Sequence, residues 1–137
     1  MSYVLVEYPR EGICLITLNR PERMNAMAFD VMVPLKEALE EVGYNNNVRV
    51  VILTGAGEGF CAGADLEEAR AGLATSPLWE ELSAAIADLP GMTVAALNGT
   101  LAGGAFGMAL ACDLRIAVPE AKFFYPVMKL GFLPQPS

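Results

Sequence analysis

The sequence predicts an α/β fold built on a mostly parallel sheet, and three observations carry that prediction. Apolar segments of strand character alternate with segments of helical spacing along the chain. VRVVILTG (48–55) is apolar and β-branched at most positions, the pattern of a strand covered on both faces in a parallel sheet. Two glycine-rich loops, GFCAGADL (59–66) and NGTLAGGAFG (98–107), each follow such a strand, where parallel α/β folds place their ligands.

The elements follow in order. YVLVEY (3–8) and GICLITLNR (12–20) read as two strands joined by the turn PREG. After the polar connection RPERMNAM, apolar residues recur every three or four positions at Phe29, Met32, Leu35, Leu39 and Val42. That spacing is one face of a helix, and Gly43 marks its stop. Pro34 conflicts with it, because proline lacks the N–H a helix interior uses; a bend or a later start is expected. NNN (45–47) turns the chain into the strand 48–55. The first glycine loop leads into a short helix over 65–70. Ser76 and Pro77 start a further helix with Trp79, Leu82, Ile86 and Leu89 on one face. TVAALNG (93–99) reads as another buried strand, the second glycine loop opens a buried helix, and DLRIAV (113–118) and AKFFY (121–125) read as strands. PVMKLGFLPQPS reads as the middle of a loop. One domain is therefore expected over 1–137, incomplete at its C-terminus.

Composition narrows the function. With 137 residues, 54% hydrophobic and 18% charged, the chain is long enough for one real core. No apolar run reaches the length of a membrane span, and the N-terminus MSYVLVEYPREG lacks a signal-peptide pattern, so a cytoplasmic protein with no membrane partner is expected. Cys14, Cys61 and Cys112 lie far apart, as free thiols of a reducing compartment do. A net charge of −7 argues against a nucleic-acid partner but not against a small anionic ligand held by local donors. The chain has no histidine. Ser-His-Asp, Cys-His and histidine–metal chemistry therefore cannot come from it, no metal site is expected, and proton transfer falls to a carboxylate, tyrosine, lysine, thiol or substrate-held water.

Gly103 and Gly104 stand where the second loop enters its helix. The first N–H groups of a helix lack intrahelical partners and carry partial positive charge. Without Cβ atoms, these glycines would let a carbonyl oxygen approach those N–H groups. Tight packing against a neighbouring element is the other reading. The G-x-x-x-x-G-K-[ST] and G-x-G-x-x-G phosphate patterns are both absent.

Four stretches together, ITLNRPERMNAM (16–27), VRVVILTGAGEGFCAGADL (48–66), AALNGTLAGGAFGMALACDLRIA (95–117) and AKFFYPVMKLGF (121–132), resemble the crotonase superfamily, the enoyl-CoA hydratase/isomerase family, in order and in spacing. The resemblance implies a crotonase-like spiral of ββα units, truncated here before its C-terminal helical region, that binds acyl-CoA. It further implies lyase or isomerase chemistry in fatty acid metabolism, no cofactor beyond the coenzyme A of the substrate, and a homotrimer or dimer of trimers. Carried over residue by residue, the oxyanion-hole N–H groups fall on Ala64 and Gly104, with Gly103 beside them. Ala26, Ala62, Asp65 and Leu66 fall along the adenine and pantetheine path, and Arg23 near the CoA phosphates. A solvated surface charge remains the other reading of Arg23, and a helix cap that of Asp65.

The pattern then breaks. The two glutamates of family hydratases fall on Gly107 and Val127, the usual isomerase glutamate also falls at or near Val127, and a further position that carries an aspartate in some members falls near Gln135. A two-carboxylate mechanism cannot be assembled from those positions. Tyr125 is the nearest substitute, as proton donor or as packing; Glu67 and Glu68 open the short helix after the first loop, as pocket groups or as first-turn carboxylates. Cys61 is a poor nucleophile without a basic partner. The resemblance thus implies carbonyl polarisation and enolate stabilisation, with three outcomes open: a hydratase/isomerase-like enzyme, other chemistry such as thioester hydrolysis, decarboxylation or C–C cleavage, or a CoA-thioester-binding homologue without turnover.

Overall fold

A computed structural model describes residues 2–137. Its strands are β1 (Val4–Arg10), β2 (Ile13–Leu18), β3 (Val50–Gly55), β4 (Met92–Leu97), β5 (Leu101–Ala102), β6 (Leu114–Ala117) and β7 (Phe123–Phe124). β1, β2, β3, β4 and β6 form one sheet in that order. Only the β1–β2 pair is antiparallel; β2 to β3, β3 to β4 and β4 to β6 run parallel. The short β5 and β7 pair in parallel as a second sheet. The fold is therefore α/β with a mostly parallel sheet, as expected. The turn between β1 and β2 is shorter than PREG: Pro9 and Arg10 belong to β1, an edge strand whose register shifts between Glu7 and Arg10. An edge tolerates both the shift and the missing N–H of proline.

The helices are α1 (Phe29–Gly43), α2 (Leu66–Arg70), α3 (Leu78–Ala87) and α4 (Phe106–Ala111), with α1 packed on α3 and α3 on α4. α1 starts at Phe29 and runs through Pro34 unbroken. Buried Val31, Met32, Leu35, Leu39 and Val42 flank the proline on both sides and anchor the helix to the core, which outweighs the one hydrogen bond Pro34 withholds. The element after β4 differs from the expected helix: β5 intervenes, a 3₁₀ turn covers Gly103–Ala105, and α4 is only six residues long.

The strand 48–55 corrects its expectation. Val51 and Leu53 are buried, while Val50 and Ile52 are only half-covered, and the same alternation holds for Cys14, Ile16 and Leu18 of β2 and for Thr93, Ala95 and Leu97 of β4. Side chains along a strand point to opposite faces, and the buried positions join the helix residues in one core cluster. The second face is lined by apolar residues without equal cover, which is why hydropathy alone suggested burial on both sides. Leu114 and Ile116 of β6 and Phe123 and Phe124 of β7 are exposed. Among the described residues no helix is long and apolar enough to cross a membrane.

Candidate active site

Three connections, 19–28 after β2, 56–65 after β3 and 98–105 after β4, leave the same edge of the sheet because those strands are parallel. Two asparagines bind them together. Asn25, fully buried with φ +56°, donates from Nδ2 to Ala56 O (2.9 Å) and Gly59 O (3.0 Å) and accepts from Arg20 N (2.8 Å). Asn98 accepts from Gly55 N (3.1 Å) and donates to Gly57 O and Gly59 O (3.1 Å each). An asparagine suits both tasks, since its amide carries donors and an acceptor and tolerates a left-handed backbone.

The two glycine loops meet. A Cβ on Gly63, whose φ is +92°, would lie 2.9 Å from Ala102 O and 3.3 Å from Gly103 Cα, and Gly103 itself has φ +59°. Neither position accepts a side chain without strain. On the far side of the first loop, Met27 N donates to Gly63 O and Asp65 N to Met27 O, both at 2.7 Å. Peptide groups alternate in direction along an extended segment, so this pairing turns the Ala64 N–H away from Met27. Gly104 follows Gly103 at the start of the 3₁₀ turn, ahead of any intrahelical partner. Among the described residues, neither Ala64 N nor Gly104 N donates to an acceptor of the chain.

Both residues face a cavity of about 700 Å³. Of the residues assigned to the oxyanion hole or the substrate path, all eight line it: Arg23, Ala26, Ala62, Ala64, Asp65, Leu66, Gly103 and Gly104. Tyr125 stands apart. It does not line the cavity, and its ring lies 5.5 Å from that of Phe106. Val127 and Gln135 do line it, and the Gln135 amide donates to Ala74 O at 2.6 Å. Gly107 is buried; a Cβ there would meet Ser83 Oγ at 2.8 Å and Ser137 Oγ at 3.1 Å, so the space beside it is already filled.

The carboxylates divide by task. Asp65 caps α2, accepting from Glu67 N (3.1 Å) and Glu68 N (3.4 Å), and pairs with Arg20 Nη2 at 3.4 Å. Glu68 accepts from Phe29 N (2.9 Å), closing the start of α1. Glu67 lines the cavity. Asp113 accepts from the Thr93 backbone N–H at 2.8 Å and joins α4 to β4. Burial pushes the Cys61 thiol up to about 12, which keeps it protonated and unreactive, and its Sγ donates to Asn25 O at 3.1 Å.

Sequence reasoning missed Arg20, Asn25, Asn98 and Trp79. Arg20 Nη1 donates to Ala26 O (3.1 Å), so one guanidinium grips both the 19–28 connection and Asp65. Trp79 is buried, donates from Nε1 to Leu73 O (2.8 Å) and lines the cavity. A Cβ on Gly104 would sit 2.9–3.1 Å from three carbons of its ring. Its only signal in the sequence was helical spacing, which every core residue of α3 shares.

A family model described as enoyl-CoA hydratase/isomerase matches residues 9–136. A protein of Mycobacterium tuberculosis described as probable enoyl-CoA hydratase EchA12 is 49% identical over 135 residues, covering 90% of this chain and 47% of its own. The 1,2-epoxyphenylacetyl-CoA isomerase of Escherichia coli is 34% identical, covering 98% and 55%. The crystal structure of a monofunctional enoyl-CoA isomerase from M. smegmatis superposes with a TM-score of 0.78 at 46% identity, covering 90% and 53%. The chain thus spans about half the length of the relatives it matches.

Proposed function

The chain belongs to the enoyl-CoA hydratase/isomerase family, and from that premise we propose that it binds an acyl-CoA thioester and holds the thioester oxygen between the N–H groups of Ala64 and Gly104. One observation carries the reading: two peptide N–H groups without an acceptor among the described residues, on two loops in van der Waals contact, line one cavity. Donors fixed before the substrate arrives stabilise charge as it develops on oxygen, and losing one costs on the order of 3 kcal/mol of transition-state stabilisation in comparable sites. Polarisation makes the α-proton more acidic, so a base can remove it and leave an enolate whose charge rests on that oxygen. Coenzyme A enters as part of the substrate. Ala26, Ala62, Asp65 and Leu66 line its path, and Arg23, exposed at the cavity, meets its phosphates.

The chemistry we favour is proton transfer next to the carbonyl rather than addition of water between two carboxylates. Gly107 and Val127 carry no proton to transfer, and of the two carboxylates lining the cavity, Asp65 is held by its cap and by Arg20. Glu67 remains the acid/base candidate on the cavity wall.

Calorimetric titration with butyryl-CoA, with assays of trans-2-butenoyl-CoA for hydration and of 3-enoyl-CoA for isomerisation, tests the reading. Binding with isomerisation exceeding hydration is expected. Binding without any turnover, across a wider panel of thioesters, would instead make the chain a thioester-binding homologue, and an absence of binding would end the acyl-CoA reading.

A further inference from the structure

Trp79 is the largest side chain on the cavity wall, and it is fixed at two points. Its indole N–H donates to Leu73 O at 2.8 Å, and three carbons of its six-membered ring rest against Gly104. A ring so held cannot swing aside to make room: rotation would break a buried hydrogen bond, and the residue is only 3% exposed. It also lies directly against the residue whose N–H is assigned to the thioester oxygen. An acyl chain attached to that carbonyl therefore begins its course beside the indole. Arg23 and Arg70 line the same cavity and supply the positive charge that a nucleotide's phosphates require.

We infer that Trp79 is the specificity-determining residue of the acyl site: it closes the channel beside Gly104 and restricts the protein to short acyl groups. The inference rests on the acyl-CoA reading above and adds to it the class of acyl group. The missing Cβ on Gly104 thereby seats the ring, which fills the space a side chain would take and limits the length of chain beyond the carbonyl.

The test compares affinities for saturated acyl-CoAs of four to twelve carbons in the wild type and in Trp79→Leu and Trp79→Phe, which keep more of the buried volume than alanine would. The wild type is expected to lose about tenfold in affinity between the short and the long members, because extra methylenes are pressed against a ring that cannot move and carry a steric cost. Trp79→Leu is expected to abolish that difference while CoA itself binds as before, and Trp79→Phe to fall between. Trp79 is also the only tryptophan of the sequence, so the emission change that Trp79→Phe removes is its own; butyryl-CoA is expected to change it and CoA alone to leave it unaltered. An identical chain-length profile in wild type and folded Trp79→Leu overturns the inference, and so does a tryptophan emission indifferent to bound acyl-CoA. If the wild type binds no acyl-CoA of any length, the parent reading falls first.

Discussion

The loop after β3 and the loop after β4 bring their peptide groups to one cavity by different means. The first hangs in hydrogen bonds: Asn25 and Asn98 hold its carbonyls, Met27 pairs with it on both sides of Ala64, and Arg20 grips Asp65 at its end. The second is tied by backbone hydrogen bonds at Thr100 and Ala102, which pair with Phe60 and Cys61, but its glycine turn is held by shape. Gly63 and Gly103 are in contact, and Gly104 is pressed on the face of Trp79. Hydrogen bonds fail when a partner is removed, and packing fails when a volume is added. The two loops should therefore break under opposite kinds of substitution.

The sharpest way to break the comparison is Gly104→Val. The added carbons collide with Trp79, so turnover should fall about a hundredfold or more with the loss of one donor, and overpacking should cost about 1–3 kcal/mol in urea unfolding. Near wild-type activity would remove Gly104 from the site. Asn25→Ala comes next. It adds no volume, yet leaves Ala56 O and Arg20 N without their partner, leaves Gly59 O with Asn98 alone, and puts alanine at a positive φ, so a loss of roughly 3 kcal/mol is expected. A variant as stable as the wild type would mean that the first loop does not depend on its hydrogen bonds. Asp65→Ala should cost roughly 1–2 kcal/mol through the lost α2 cap, with the larger consequence seen in KM for acyl-CoA as the Arg20 clamp opens.

The last expected effect is an absence. Cys61 lies inside the first loop, and at pH 8 a disulfide reagent should leave it unlabelled in the folded protein. Prompt labelling would reveal that the loop opens. The same raised thiols have a thermodynamic counterpart. Burial raises Cys61 to about 12 and Cys112 to about 11 against an ordinary 9.0. Above pH 9 the unfolded chain releases these protons while the folded chain retains them, so unfolding becomes easier with rising pH; the urea midpoint should fall as pH rises from about 9 through about 11.

Much of this was legible in the sequence, for identifiable reasons. The element order followed from period and punctuation, and the two loops from glycines placed directly after apolar strands. Asp65 read correctly as a cap because its partners lie two and three residues away. Asn25 and Asn98 did not read at all, since apart from Arg20, five residues from Asn25, the backbone groups they bind are 31 to 43 residues distant in the chain. The faces of β3 were hidden because Val50 and Ile52 are as apolar as Val51 and Leu53, leaving no alternation to detect. Pro34 pointed to a break that packing overrode.

The idle amide of Ala64 sits between two neighbours whose backbone groups are engaged with Met27. In deuterated water that alternation becomes a pattern in time. Met27 and Asp65 should keep their protons until the loop opens, while Ala64 and Gly104 surrender theirs through the cavity mouth. A ligand whose oxygen rests on both should silence the two together, and a ligand seated anywhere else should leave them ticking at their former pace.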